Sequence, residues 1–380
     1  MMLRVAVSEL RARVPGLELA IDPSYGRFDE RTGLSLIQMV PTRGHVGSLG
    51  WGRRFGVQKA VGHGWRLLRN RHRVRRAFVR YGMCSIAETD ALVDLSGFAF
   101  SDQWGPRPLA DFVDLATYYA RRDRPVIMLP QAFGPFVREE SRKLVRALLR
   151  LRPLVFARDS MSIAHLEDAA DPGAMVLHSP DVTLLYGSGD TLRDPATTES
   201  VCIVPNQRIP EMTTIGFDDY CHLLIETATA VIEAGLRPLL LIHDTSGGDL
   251  AIAERVQRHL SESTLKIECA DDPVELKGTL GRSRFVVGSR YHALVGALGQ
   301  CVPAIAVGWS HKYEGLRDLF PDGLLLMDPA AGREEARRLV GQLADISVNR
   351  RCRGKLQASR QHARSEIEEM WSRVVTLLQR

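Results

Sequence analysis

Long apolar stretches are missing from this 380-residue chain. Its hydrophobic runs stay well below the roughly 20 residues that a membrane-spanning helix requires. The first residues also lack the apolar core of a secretory signal peptide. These absences predict a cytoplasmic protein whose only membrane contact would be peripheral, at the inner face of the membrane.

Several signatures of metal, nucleotide and redox chemistry are absent as well. The six cysteines form no CxxC pair, and their spacing suits neither a zinc site nor a disulfide framework, so we expect reduced thiols. There is no Walker A loop, no GxGxxG after a predicted strand, no HExxH and no GxSxG elbow. The acidic pair Asp271 and Asp272 precedes a proline and is more typical of a helix cap than of a metal site. We therefore expect no metal and no cofactor.

Acidic residues are absent from one segment of an otherwise balanced chain. Lysine and arginine number 50 against 45 acidic residues, yet 11 of the basic ones fall between Arg43 and Arg80 with no Asp or Glu among them. Such a block attracts phosphates, acidic glycans or anionic lipid, unless it is only a solvated helix face. Few aromatics interleave with it, Trp65 and Phe78 among them, so nucleic acid is not expected as a partner.

What remains is an alternation of short apolar runs with longer amphipathic ones, the pattern of parallel βαβ units. The length favours two domains, with a polar linker around residues 186–200. We predict an N-terminal Rossmann-like domain at 1–190 with the basic insertion at 43–80, a C-terminal Rossmann-like domain at 200–346, and a helix at 350–380 that packs back. The predicted strands are 35–40, 91–95, 125–129, 154–157 and 174–177, then 201–204, 238–242, 265–268, 285–287, 304–307 and 324–327. The predicted helices are 109–122, 138–151, 160–169, 217–234, 250–261, 274–280, 291–298 and 313–320.

Two such α/β domains would face a cleft between the carboxyl ends of their strands, where open parallel sheets bind ligands. The strongest candidate there is the turn 288–292, which follows a predicted strand and opens an apolar helix. Ser289 would cap the helix, Arg290 would clamp an anion, and His292 would exchange protons in the first turn. The alternative is that Arg290 pairs with a structural carboxylate and His292 is a packed helix residue.

Other polar residues also follow predicted strands. His311 and Lys312 come after 304–307, where Lys312 could approach the same anion. Asn206 and Arg208 follow 201–204 and would face the cleft. A solvated loop is the plain alternative for all four residues.

The first half offers three further candidates. Gln131 lies in the Gly- and Pro-rich turn 130–136, and Gly97 lies in a small-residue turn that would let a ligand approach. Arg158 follows the strand 154–157, ahead of a helix that Asp159 or Ser160 would cap. The alternatives are purely structural turns and a local pairing of Arg158 with Asp159.

These elements together resemble the polysaccharide pyruvyl transferase family over about residues 91 to 320. The matching elements are, in chain order, 131–135, 157–160, 180–181, 289–294, and Lys312 with Gly315. The resemblance implies a GT-B-like arrangement of two Rossmann-like domains. It also implies transfer of a pyruvyl group from phosphoenolpyruvate to sugar hydroxyls of a polysaccharide or of its lipid-linked precursor.

Within that resemblance, Arg290, Arg158 and Lys312 would bind the phosphate and carboxylate of phosphoenolpyruvate, and His292 would act as general acid and base. The chain departs from the family at its start, which lacks the usual strand and Asn-x-Gly-Asp-like turn. The acceptor side should therefore differ more from its relatives than the donor side. The alternatives are a GT-B glycosyltransferase that uses a nucleotide-sugar donor, and a non-catalytic relative.

Overall fold

The computed structural model describes residues 1–22, 31, 33–39, 82–186, 194–245, 247–260, 265–270, 272–308, 312–330 and 332–380. The predicted basic insertion at 43–80 and the candidate His311 lie outside these residues, as does the side chain of Lys312. Among the described helices, none has both the length and the apolar character needed to cross a membrane.

The chain opens with a helix that the sequence patterns did not predict. Helix α1 spans Met2–Arg13 and buries Val5, Ala6, Val7 and Leu10. The sequence pattern did not reveal this helix, because only one narrow face is apolar and the overall hydrophobicity is low. Strands β1 (Ala20–Ile21), β2 (Ile37–Met39) and β3 (Met83–Cys84) then form a small parallel sheet in the order β1-β2-β3.

A four-stranded parallel sheet follows. Its strands run in chain order as β4 (Leu92–Asp94), β5 (Val126–Gln131), β6 (Leu154–Ala157) and β7 (Leu177–His178). The connecting helices are α2 (Arg107–Ala120), α3 (Glu139–Arg150) and α4 (Ser160–Ala169). Helix α4 starts where predicted because the Asp159 carboxylate accepts a hydrogen bond from the Ser162 amide at 2.7 Å.

The second half contains a six-stranded parallel sheet in the order β10-β9-β8-β11-β12-β13. The chain moves outward in one direction, returns to the centre and moves outward in the other, which is the doubly wound Rossmann order. This confirms the predicted α/β class with Rossmann-like parallel sheets. The strands are β8 (Ser200–Val204), β9 (Arg237–Ile242), β10 (Lys266–Cys269), β11 (Val286–Gly288), β12 (Ala304–Val307) and β13 (Leu324–Met327).

Helices cover this second sheet and continue to the end of the chain. They are α5 (Arg208–Met212), α6 (Phe217–Glu233), α7 (Asp249–Leu260), α8 (Pro273–Gly281), α9 (Tyr291–Leu298), α10 (Lys312–Leu319), α11 (Arg333–Ala344) and α12 (Ile346–Leu378). The 33-residue helix α12 contacts both halves. The Arg353 guanidinium donates to the carbonyl of Ser283 at 2.8 Å, and Glu366 lies 2.9 Å from the His178 ring.

The two halves are also joined by a buried lysine. The Lys277 ammonium on α8 donates to the carbonyls of Thr183 (2.6 Å), Leu184 (3.0 Å) and Tyr186 (2.6 Å) in the segment after β7. Burial lowers the pKa of Lys277 to about 7, against the opposing charge of Asp181. The three carbonyls supply the hydrogen bonds that a buried ammonium requires.

A glycine permits a close approach between helix α10 and the start of helix α4. A Cβ built on Gly315 of α10 would lie only 2.7 Å from the Cβ of Asp159, the residue that caps α4. Neither atom belongs to the far end of a flexible side chain, so any side chain at position 315 forces the two backbones apart. The glycine of the Lys-x-x-Gly element thus has a packing reason.

We predict that Gly315→Ala destabilises the protein by about 1–3 kcal/mol, because it overpacks this contact. The matched control is Gly354→Ala in α12, where a Cβ meets nothing within 4 Å. There the helix propensity of alanine should stabilise by up to about 1 kcal/mol. Denaturant unfolding measures both changes, and equal effects of the two variants would contradict the packing argument.

Candidate functional site

Polar side chains line the carboxyl edge of the four-stranded sheet. Asp94 and Gln131 are the last residues of β4 and β5, Arg158 follows β6 directly, and Asp181 lies just after β7. All four are buried. The amide nitrogen of Gln131 donates to the carboxylate of Asp94 at 2.5 Å, and Nη1 of Arg158 lies 3.6 Å from Oδ2 of Asp181. Burial raises the pKa of Asp94, although hydrogen bonds from Ser96 and Gln131 oppose this.

The facing edge belongs to the six-stranded sheet, at the point between β8 and β11 where the strand order reverses. The predicted capping role of Ser289 is wrong. Its buried hydroxyl lies 3.2 Å from the hydroxyl of Tyr220, and α9 begins at Tyr291 with Arg290, not Ser289, at the cap position and no side-chain cap. The Ser289 carbonyl also accepts from the Asn206 side chain at 3.0 Å, so the main chain of this residue is held as well as its side chain.

Arg290 is held by carboxylates. Its Nε and Nη2 donate to the two oxygens of buried Asp249 at 2.8 and 2.6 Å, and Nη1 lies 3.3 Å from Asp244. This agrees with the alternative that Arg290 pairs with a structural carboxylate. The bidentate pair also fixes the guanidinium in one orientation at the start of α9.

Two contacts cross between the sheets at this point. Nε2 of His292 lies 3.5 Å from Oδ2 of Asp181, and the Arg158 guanidinium stacks 3.9 Å from the ring centre of Tyr291. Burial alone would raise the pKa of Asp181. The contact with His292, the charges of His292 and Arg158, and the Thr183 hydroxyl instead lower it below the ordinary value. The structure therefore brings the predicted residues Arg158 and His292 together around the carboxylate of Asp181.

Four buried polar atoms at these facing edges have no hydrogen-bond partner within the described part of the chain. They are Oε1 of Gln131, Nε of Arg158, Oδ2 of Asp181 and Nε2 of His292. An unpaired buried polar atom typically costs about 1–3 kcal/mol, so a concentration of them calls for an explanation. Three belong to predicted site residues. A bound polar ligand would satisfy Oε1 of Gln131 and Nε of Arg158, whereas Oδ2 of Asp181 and Nε2 of His292 lie 3.5 Å from each other.

The remaining predicted residues are placed less directly. Asn206 is buried, and besides holding the Ser289 carbonyl it accepts from the Arg208 amide at 3.1 Å. The Arg208 side chain is exposed and pairs with Glu211 at 2.8 Å. Lys312 is the first residue of α10. Asn206 is thus placed as a scaffold of the turn, and Arg208 as a surface ion pair.

Gly97 has a left-handed backbone with φ of +74°, and its carbonyl accepts from the Ala132 amide at 2.9 Å. A Cβ there would lie 3.2 Å from the sulfur of Met2, so α1 reaches the carboxyl edge of β4. The start of α1 also reaches the other half, where Arg4 pairs with Asp272 at 3.1 Å. The sequence predicted that a ligand could approach Gly97. Helix α1 borders the space beside this glycine.

Lys277, Asp181 and His243 were not among the predicted site residues. Lys277 lies on the apolar face of α8 with Leu276 and Leu280, and a lysine in such a position signals burial. His243 follows β9 beside the Arg290 cluster. Burial and the nearby charges of His292 and Arg290 lower the pKa of His243 to about 4.

The two parallel sheets with polar residues at facing carboxyl edges define a Rossmann-like α/β protein with a candidate site between the sheets. The family model for polysaccharide pyruvyl transferase matches residues 51–311, which is more than half of the chain. The chain therefore belongs to the polysaccharide pyruvyl transferase family, and the resemblance inferred from its motifs is confirmed.

Individual relatives are more distant. The amylovoran biosynthesis protein AmsJ of Erwinia amylovora is 22% identical over 255 residues, which cover 61% of this chain and 59% of AmsJ. The S. aureus MnaA–UDP complex has a TM-score of 0.48 and 13% identity over 71% of this chain and 69% of that one. A UDP-forming α,α-trehalose-phosphate synthase from Burkholderia xenovorans has a TM-score of 0.48 and 8% identity, over 70% and 71%.

The lowered pKa of His243 predicts an acid-sensitive fold. Between pH 6.5 and about 4 the unfolded chain binds a proton at His243 that the folded chain excludes, so stability falls as the pH falls through this window. We expect His243→Gln to flatten that decline in thermal unfolding measured at several pH values. The control is His259→Gln at an exposed position of α7. An unchanged slope in His243→Gln would contradict the assignment.

Proposed function

We propose that this protein transfers a pyruvyl group from phosphoenolpyruvate to two hydroxyls of a sugar, in a polysaccharide or its lipid-linked precursor. The observation that carries the proposal is the group of buried polar atoms of Arg158, Asp181 and His292 where the two sheets meet, which face one another at 3.5–3.6 Å without completing a hydrogen bond. A guanidinium, a carboxylate and an imidazole at one place provide anion binding and proton transfer together. Membership of the family supports the same reaction class.

The donor would lie between Arg158 and the start of α9. Phosphoenolpyruvate carries a phosphate and a carboxylate, and both anions suit guanidinium groups and a helix N-terminus that no side chain caps. Tyr291 and Asp181 hold Arg158 in place, while Asp249 holds Arg290. Because Asp249 offsets the charge of Arg290, this arginine would contribute through its fixed geometry more than through net charge. Lys312 at the start of α10 is the third cation we assign to this side.

The chemistry needs one proton delivered and two hydroxyl protons removed. The first sugar hydroxyl adds to the enol carbon that carries the phosphate, while a proton reaches the methylene carbon and makes it a methyl group. The second hydroxyl then displaces phosphate and completes the ketal, and its proton leaves with the phosphate. His292, partly exposed in the first turn of α9, is the group we assign to proton transfer.

We assign the acceptor to the four-stranded side, near Gln131 and Gly97. This half contains the departure from the family pattern, and α1 borders it through Met2. The basic insertion at 43–80 is our candidate for contact with an anionic acceptor or the membrane surface. The relative AmsJ is named for the biosynthesis of amylovoran, which agrees with a biosynthetic role.

The proposal is tested with the purified protein, phosphoenolpyruvate and a panel of lipid-linked and nucleotide-linked sugars. We expect phosphate release that depends on the acceptor, and an acceptor mass that increases by one pyruvate ketal. Parallel reactions with nucleotide sugars alone test the glycosyltransferase alternative. Failure to bind phosphoenolpyruvate and to release phosphate with any acceptor would overturn the proposal.

Two variants separate donor binding from proton transfer. His292→Gln should lower kcat by about 10²–10⁴-fold with a small change in KM, because it removes a general acid and base. Arg158→Lys should mainly raise KM for phosphoenolpyruvate, since lysine loses the planar stack on Tyr291 and the forked donors. The matched controls are His362→Gln and Arg146→Lys, which replace surface ion-pair residues. Wild-type turnover in His292→Gln would remove that residue from the mechanism.

A further inference from the structure

We propose that Asp181 is a positioning residue that orients the His292 imidazole, and that buried Lys277 holds the turn carrying Asp181 in register with the opposite half. The inference rests on the proposed role of His292 and adds a supporting pair that the sequence did not assign to the site. Neither residue needs to touch substrate. Each would act through the geometry of His292.

The carboxylate of Asp181 is fixed on one side and open on the other. Its Oδ1 accepts from the amide of Thr183 at 2.9 Å and from the Thr183 hydroxyl at 2.6 Å, which sets its rotation. Its Oδ2 consequently points to Nε2 of His292 at 3.5 Å and to Nη1 of Arg158 at 3.6 Å. Asp181 is 3% exposed, so water competes little for this oxygen.

This orientation selects one form of the imidazole. A carboxylate beside Nε2 favours a hydrogen on that nitrogen and leaves Nδ1 to exchange protons with a ligand. The 3.5 Å separation is slightly longer than a hydrogen bond, and a shift of a few tenths of an ångström would close it. The two atoms come from opposite sheets, so the relative position of the halves sets this distance.

Lys277 is the contact that can hold that distance. Its ammonium binds the carbonyls of Thr183, Leu184 and Tyr186, which follow Asp181 within five residues. Lys277 itself lies on α8, in the same half as His292. A Cβ on Gly299 of that half would collide with the Leu184 carbonyl. The segment after Asp181 therefore also packs directly against the backbone of that half. The clamp therefore ties the Asp181 turn to the body that carries His292.

A purely structural role is the competing explanation, in which Asp181 only neutralises Arg158. That role predicts lost stability or donor binding in Asp181→Asn, but no change in the imidazole. The positioning role predicts a change in the tautomer of His292 and in kcat. The tautomer can be read without any substrate, so failure of the proposed function would not obscure the result.

The first measurement uses the full-length protein labelled with ¹⁵N in its 11 histidines. Long-range ¹H–¹⁵N correlation spectra report the tautomer, and the signal lost in His292→Gln assigns the residue. We expect the Nε2–H form in the wild type and loss of that preference in Asp181→Asn, because an amide can donate to Nε2. Asp168→Asn, which changes a surface carboxylate paired with Arg142, should leave the spectrum unchanged.

The second measurement is steady-state kinetics with phosphoenolpyruvate. Asp181→Asn should lower kcat by about 10–100-fold, the usual effect of losing a supporting hydrogen-bond partner, with KM changed less than kcat. Lys277→Met should shift the tautomer and kcat in the same direction, and Lys277→Arg should restore part of both. Lys355→Met is the control, since Lys355 pairs with Asp322 on the surface.

The outcomes are decisive in each arm. An unchanged His292 tautomer in folded Asp181→Asn would overturn the role of Asp181, whatever the activity. A wild-type tautomer in Lys277→Met would remove Lys277 from the unit. If Lys277→Met does not fold, Lys277→Arg is measured instead. A guanidinium that keeps only part of the three carbonyl contacts should produce a smaller shift of the His292 tautomer. No tautomer shift in Lys277→Arg would contradict the clamp.

Discussion

The buried ammonium of Lys277 is a polar contact that ties the two parallel sheets together. A cation removed from water is costly unless its donors are all used, and here three main-chain carbonyls accept from it. Those carbonyls belong to the segment that leaves the four-stranded sheet, while the lysine belongs to the six-stranded half. One side chain thus joins the end of one sheet to a helix of the other.

The consequences of this placement appear at the carboxyl edges. With the halves in this position, Asp181 meets His292 and Arg158 stacks on Tyr291. Gly315 and Gly299 let the backbones approach as closely as these contacts require. The same arrangement leaves several buried polar atoms unpaired, which costs stability. Proteins tolerate such a cost where a ligand completes the hydrogen bonds, and the facing edges of two parallel sheets are where that is expected.

Arg290 was predicted to bind an anion, but in the structure it pairs with a carboxylate. Its position after β11 suggested an anion clamp, whereas the structure engages two of its nitrogens with buried Asp249. A bidentate carboxylate partner does not remove a guanidinium from a site, because it fixes the orientation of the group, and here Nη1 also lies 3.3 Å from Asp244. The pairing does change the expected role of Arg290. Instead of net charge, the residue supplies a rigid donor beside the start of α9, which has no side-chain cap.

Sequence patterns predicted the second half well because most of its strands are short apolar runs between clear amphipathic helices, although β10 is mostly polar and exposed. The ends of β12 and β13 and the extents of α4 and α9 match the prediction residue for residue. Helix α1 was missed because its apolar face is narrow, and helix α11 because its sequence is dominated by charged residues. The predicted cap of α9 was wrong because the Ser289 hydroxyl is engaged by the hydroxyl of Tyr220. The two residues are 69 positions apart, so no local pattern reveals this hydrogen bond.

The sequence alone determined the α/β class, the family and the identity of most polar residues at the strand ends, since these follow from local periodicity and from motifs within a few residues of each other. Only the tertiary structure decided which of these residues meet. Asp181 and His292 are 111 positions apart, and Arg290 and Asp249 are 41 apart. Such pairings depend on how two sheets pack, and packing is set by long-range contacts such as the Lys277 clamp, which no local pattern encodes.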